Sequence, residues 1–185
     1  MIRGRCASHA RAVLECVALL AHTRQSSPNH LKMPSHSADS KASPVAALER
    51  KILADIPLAR AMSLSIGAYD GDSLTFAAPL APNINDKGCA FGGSLASLMT
   101  LAGWGLVKLA VDARNLDCDI YVQDSTIRYL APVWQDFSTT AQLAHCDPFA
   151  AFFSALAQPG PRRLPVPCPV PLPSARASRT PEPAV

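Results

Sequence analysis

The stretch N-D-K-G-C-A-F-G-G-S-L-A-S-L-M-T-L-A-G-W, Asn85 to Trp104, sets a polar, glycine-punctuated loop directly against an almost wholly apolar segment. From Gly93 to about Val111 the apolar character is interrupted only by Ser94, Ser97, Thr100 and Lys108, which predicts a helix buried on most of its circumference. The start of such a helix carries N–H groups without intrahelical acceptors and a partial positive charge. Glycines at 92 and 93 let a substrate oxygen approach that backbone and be held as an oxyanion. The competing reading is a membrane span. Glycines at 92, 93, 103 and 105, three hydroxyls and Lys108 leave fewer than the roughly 20 apolar residues a span requires, so no span is expected.

Working outward, Ser43 and Pro44 make a helix start, and Val45, Leu48 and Ile52 share one face of a helix that must stop before Pro57. Met62, Leu64, Ile66 and Ala68 alternate with small residues, as do Leu74, Phe76 and Ala78, and Asp70-Gly71 lies between the two runs. That is the pattern of a hairpin. Beyond the long helix, Asp119 to Ala131 predicts a long strand with Ile120, Val122, Asp124, Thr126, Arg128 and Leu130 on one face. Asp124 and Arg128 would then lie about 13 Å apart. Pro132 to Phe137 turns the chain, and Ser138 to Ala144 forms one more strand. The order is helix, hairpin, loop, long buried helix, strand, strand, an α+β fold with an antiparallel sheet wrapped around a central helix.

The ends differ from this middle. Residues 1 to 41 carry six Lys/Arg against two Asp/Glu, residues 42 to 145 seven against ten, and residues 146 to 185 four against two. The basic balance therefore comes from the ends, and the slightly acidic middle argues against a nucleic-acid surface. The apolar run Ala12 to Ala21 contains Glu15 and lacks a following small-residue cleavage site, so it makes a poor signal peptide, with Met33 the expected natural start and the cytoplasm the expected location. Ten of the seventeen prolines fall within residues 148 to 185. That density predicts polyproline II or disorder rather than a ladder, read either as a ligand for an SH3-like partner or as a shifted reading frame, which the abrupt change near Cys146 favours. The expected organisation is a flexible extension over 1–41, a domain over 42–145 lacking its last strands, and a disordered proline-rich tail over 146–185. An uncovered sheet edge would then invite misassembly.

Six cysteines form no C-x-x-C pair, and four of five histidines lie in the N-terminal region, so neither a metal site nor a cofactor is expected. The glycines at 88, 92 and 93 lack the Gly-Lys-Ser/Thr ending of a phosphate loop. Cys89 stands close to a helix start without a paired histidine, and Gly92-Gly93-Ser94-Leu95-Ala96 lacks the final glycine of a nucleophile elbow. Asn83 is expected to do turn chemistry, and Asn85 is read either as an Asx-turn residue or as part of a site.

Taken together, I-P-L-A-R-A-M at 56 to 62, A-P-L-A-P-N-I-N at 78 to 85, A-F-G-G-S-L at 90 to 95, L-A-G-W-G at 101 to 105 and Q-D-S-T-I-R-Y-L-A-P-V at 123 to 133 carry a resemblance. The stretch from about Leu48 to Leu143 resembles the YiiD C-terminal type thioesterase domain, a branch of the hotdog fold. The resemblance implies an acyl-thioester ligand on coenzyme A or an acyl carrier protein, bound at a homodimer interface. It implies that Asn85 orients substrate or water and that Gly92 or Gly93 supplies the oxyanion N–H, with Phe91 where the wider superfamily often has His. Phe91, Ser94, Thr100 and Arg128 are the expected substrate contacts. Thr100 stands where many hotdog thioesterases carry an acid on the central helix, and no acid occurs between Gly92 and Val111. Asp86 or Asp124 would have to serve as base for hydrolysis. Decarboxylation of a malonyl thioester, an activity associated with this branch in the initiation of fatty-acid synthesis, needs an oxyanion hole and a desolvated carboxylate but no base. Three function classes follow: thioesterase, malonyl-carrier-protein decarboxylase, and a truncated thioester-binding protein without activity.

Overall fold

The computed structural model of the chain describes residues 11–23 (main chain), 43–142, 148–156 and 162–171. The elements are β1 (Arg11–Thr23), α1 (Pro44–Asp55), α2 (Pro57–Ala61), β2 (Ser65–Tyr69), β3 (Ser73–Ala78), α3 (Gly92–Asp112), β4 (Cys118–Arg128), β5 (Phe137–Gln142), α4 (Pro148–Leu156) and β6 (Arg162–Pro171). Strands β4, β1 and β6 form one antiparallel ladder and β2, β3 and β5 another. Helix α3 packs on strands of both ladders, so the expected sheet around a central helix is present.

The local chemistry explains the elements. Pro44 opens α1 at its first turn, although the Ser43 side chain makes no capping bond there. The chain leaves α1 before Pro57, which then opens α2. In the β2–β3 hairpin Gly71 takes φ +100°, a conformation that strains any residue with a Cβ. Asp70 closes the same turn by accepting hydrogen bonds from the main-chain N–H groups of Asp72 and Ser73 and from the Ser73 hydroxyl. These bonds hold its carboxyl below the ordinary carboxylate range.

The core lies between α3 and the sheet. Leu98, Met99, Leu106, Val107 and Val111 of α3 are buried with Leu74 and Phe76 of β3, each such side chain contributing roughly 1.5–3 kcal/mol. Gly105 sets the closeness of this packing, since a Cβ there would lie 3.2 Å from both Leu74 Cδ2 and Phe76 Cζ. By length and hydropathy α3 could cross a membrane, but its position makes it the core helix.

Strand β4 departs from simple alternation. Its register against β1 skips Gln123, with Asp124 opposite Ala18 and Val122 opposite Leu19. One extra residue switches the face presented to the core. Ile120 and Ile127, seven residues apart, therefore both pack against the core, whereas Val122, Asp124, Thr126 and Arg128 are exposed. The single face expected for Ile120 to Leu130 does not exist, because periodicity cannot foresee a bulge.

The largest departures are at the ends. Strand β1 lies within the expected flexible extension, and α4 and β6 lie within the expected disordered tail, where further strands were expected to be missing. Strand β6 runs Leu164, Pro165, Val166, Pro167, Cys168, Pro169, Val170, Pro171, with Leu164, Val166, Cys168 and Val170 buried. Successive residues of a strand direct their N–H and C=O groups to opposite edges. All four prolines fall on one parity, so only one edge loses its donors. Residues of the other parity face β1 and keep theirs, and Leu164 stands opposite Leu19, Val166 opposite Val17 and Cys168 opposite Leu14. The donorless edge faces β5, where the Thr139 hydroxyl donates to the Pro169 carbonyl at 3.0 Å. This explains why β5 and β6 lie side by side yet belong to separate ladders. Met33, His145 and Cys146 lie outside the described residues.

Candidate functional site

The loop before α3 is fixed from several sides. A short 3-10 turn, Ala81–Asn83, follows β3, and a bridge joins Ile84 to Ala90. Gly88 takes φ +80° at the loop's bend. Asn83 is buried, at 2% exposure, and its amide donates to the carbonyls of Met62 (2.9 Å) and Pro79 (2.8 Å). Its own main-chain carbonyl accepts from Phe91, and the Val133 carbonyl accepts from Ala90, both at 2.7 Å. The loop is thereby tied to the end of α2, the end of β3 and the segment after β4.

Phe91 is the N-cap of α3 and contributes no side-chain cap. The N–H groups of Gly92, Gly93 and Ser94 therefore have no intrahelical acceptor, while Leu95 N–H already bonds to the Phe91 carbonyl. These donors sit at the positive end of a 21-residue helix. The ring of Phe91 folds over Gly93, so a Cβ at 93 would lie 2.3 Å from Phe91 Cε1. The ring of Tyr129 packs against Gly92, and its hydroxyl donates to the Gly92 carbonyl at 2.9 Å. Ile84, Phe91, Tyr129, Leu130 and Trp134 are all more than half exposed, and of these Phe91 and Tyr129 lie against the helix start.

The other expected site residues divide. Asn85 forms an Asx turn: its Oδ1 accepts from Lys87 N–H at 2.9 Å, and its Nδ2 donates to Cys89 Sγ at 3.2 Å. Asp86 is exposed and paired with Lys87 at 3.1 Å. Asp124 and Arg128 are exposed on β4. Ser94 is buried in the first turn of α3, and Thr100 lies two turns beyond Gly93 on the partly open face it shares with Ser97 and Trp104. The Ser97 hydroxyl is taken up locally by the Gly93 carbonyl at 2.8 Å. No group of three His, Cys, Asp or Glu suited to a metal occurs among the described residues. Sequence reasoning missed Tyr129, whose link to Gly92 spans 37 positions and leaves no periodic signal. A separate, mainly apolar cavity of about 370 Å³ lies toward the opposite end of α3, lined by Leu48, Tyr69 and Leu109. Leu109 is roughly 25 Å along the helix from Gly92.

Comparison with known proteins adds the family context. Residues 45–172 match the family described as "Putative thioesterase (yiiD_Cterm)", and the match runs through the expected domain end at 145. A protein of unknown function from Chlorobaculum tepidum is 27% identical, with a TM-score of 0.58 over 68% of this chain and 93% of its own. A "putative thioesterase" from Shewanella oneidensis is 28% identical, with a TM-score of 0.56 over 70% of this chain and 97% of its own. A Pseudomonas aeruginosa protein described as a "Probable Thioesterase" is 16% identical, with a TM-score of 0.54 over 69% and 93%, a likeness of fold alone.

Proposed function

Because this chain belongs to the yiiD C-terminal thioesterase family of the hotdog fold, we propose that it processes an acyl thioester carried on coenzyme A or an acyl carrier protein. The observation that carries this reading is the start of α3, where Gly92, Gly93 and Ser94 present N–H groups to a glycine-lined surface. The thioester oxygen accepts from Gly92 or Gly93 as negative charge develops on it, and the helix terminus adds to the stabilisation. Phe91 and Ser94 border that oxygen, and the acyl chain runs along the face bearing Thr100. Arg128 meets the carrier's phosphate.

Hydrolysis requires a base to activate water, and in this reading Asp86 or Asp124 supplies it, with Asn85 orienting the water. A second reading, decarboxylation of a malonyl carrier protein, is favoured by one feature of α3. Its sole carboxylate is Asp112, at the last position of the helix, so a base near Thr100 is lacking on this element. In that reaction the carboxylate leaves as carbon dioxide, its bonding electrons form an enolate whose oxygen the same N–H groups hold, and the enolate carbon takes a proton from water to give the acetyl thioester.

A homodimer fits the free edge of β4, which pairs only with β1 among the described residues and exposes Tyr121 and Val122. A cytoplasmic location fits Cys89 and Cys118, which form no disulfide. Product masses after incubating the chain with malonyl carrier protein and with a medium-chain acyl-CoA test the reading, beside an Asn85→Ala control. Free carrier thiol or free CoA indicates hydrolysis, and an acetyl carrier indicates decarboxylation. Binding without turnover indicates a thioester-binding protein, and neither binding nor turnover overturns the proposal.

A further inference from the structure

We infer that Tyr129 is a positioning residue, which orients and polarises the Gly92–Gly93 peptide so that the Gly93 N–H is the principal oxyanion donor. The inference rests on the thioester reading above and names the donor within it. The Gly92 carbonyl and the Gly93 N–H belong to one planar trans peptide and point in opposite directions. The Tyr129 hydroxyl bonds to the carbonyl end of that unit at 2.9 Å. Fixing the oxygen fixes the direction of the N–H, and a hydrogen bond accepted at the oxygen strengthens the donor at the other end.

Three features make this more than incidental packing. The contact joins the segment after β4 to the first residue of α3, so it sets the helix start against the sheet. The Gly92 carbonyl already has a helical role, in which it accepts from the N–H four residues on, so Tyr129 adds a second bond on a remaining lone pair. Tyr129 is 53% exposed while its hydroxyl is directed at main chain, so the polar tip is engaged although water is available.

Tyr129→Phe in the full chain keeps the ring against Gly92 and removes only the hydroxyl. The expected result is a three- to tenfold fall in kcat, the size of one lost hydrogen bond, with KM and Tm unchanged. The substrates are malonyl carrier protein and octanoyl-CoA, whichever the wild type turns over. The Gly93 amide nitrogen resonance is expected to move upfield in the variant while that of Gly67, in β2, stays in place. An unchanged kcat with an unmoved Gly93 resonance overturns the inference, as does a fall in Tm that accounts for the lost activity. If the wild type turns over neither substrate, the thioester reading has failed and the Gly93 resonance alone decides whether Tyr129 controls this peptide.

Discussion

The main-chain carbonyl of Asn83 accepts the N–H of Phe91 at 2.7 Å, so the residue that ends the turn after β3 also holds the cap of the central helix. The Asn83 amide meanwhile donates to Met62 and Pro79, and its Oδ1 is buried without a partner among the described residues. Two donors facing two carbonyl oxygens cannot be replaced by a carboxylate. Asn83→Leu is expected to lose about 1–3 kcal/mol, because it leaves those carbonyls unpaired while removing the orphaned oxygen. Asn83→Asp is expected to lose more, since it sets a charge against the same carbonyls. Urea unfolding at neutral pH measures both, and an Asp variant as stable as the Leu variant would refute the assignment.

Gly93 and Phe91 should behave as a coupled pair. A methyl at 93 meets the Phe91 ring at 2.3 Å and pushes it away from the helix start. Gly93→Ala is therefore expected to reduce turnover of the thioester substrate without unfolding the chain, because the exposed ring is free to swing outward. In a Phe91→Leu background the clash is relieved, and the same change becomes neutral or stabilises by up to about 1 kcal/mol, since alanine loses less entropy than glycine in a helix. A double-mutant cycle in Tm and turnover checks this. Additive effects would show that the ring and Gly93 act independently.

The parts of this fold that were legible in the sequence are those decided locally. Asp70-Gly71 between alternating runs marks the hairpin, and the unbroken apolar character after Gly93 marks α3, because turn chemistry and periodicity act over a few residues. Gln123 shifts the face of β4 without any residue type that signals a bulge. In β6 the alternation of Leu164, Val166, Cys168 and Val170 is present in the sequence, but the proline density argues against a ladder. A ladder on one edge needs donors of one parity only. At the site, glycines and helix start could be read off the sequence, whereas Tyr129 and Asn83 act through partners 37 and 21 positions away.

The Asp70 turn predicts a pH dependence. Hydrogen bonds from Ser73 and Asp72 favour the carboxylate, so the folded pKa lies below its ordinary value of 3.8. The unfolded chain therefore binds the proton more readily. The contribution is complete above the unfolded value and is lost as pH falls through the lower folded value. Asp70→Ala should lower Tm at pH 7, and the gap between variant and wild type should narrow on acidification below about pH 4. A gap that is constant from pH 7 to pH 2 would mean that the turn depends on backbone geometry alone.

Thr139 tests the seam between the two ladders. Its side chain is fully buried, and its hydroxyl donates to the Pro169 carbonyl on the edge of β6 that has no N–H donors between 165 and 171. Thr139→Val keeps the shape and removes the donor, leaving that carbonyl unsatisfied, and is expected to cost about 1–2 kcal/mol. Thr140 on the same strand provides the comparison, because its hydroxyl bonds to Thr75 within the other ladder at 2.9 Å. If β6 is docked as described, Thr139→Val speeds amide exchange and proteolysis within 162–171, whereas Thr140→Val does not. Equal protection of that segment in both variants would show that the proline-bearing strand is held through β1 alone.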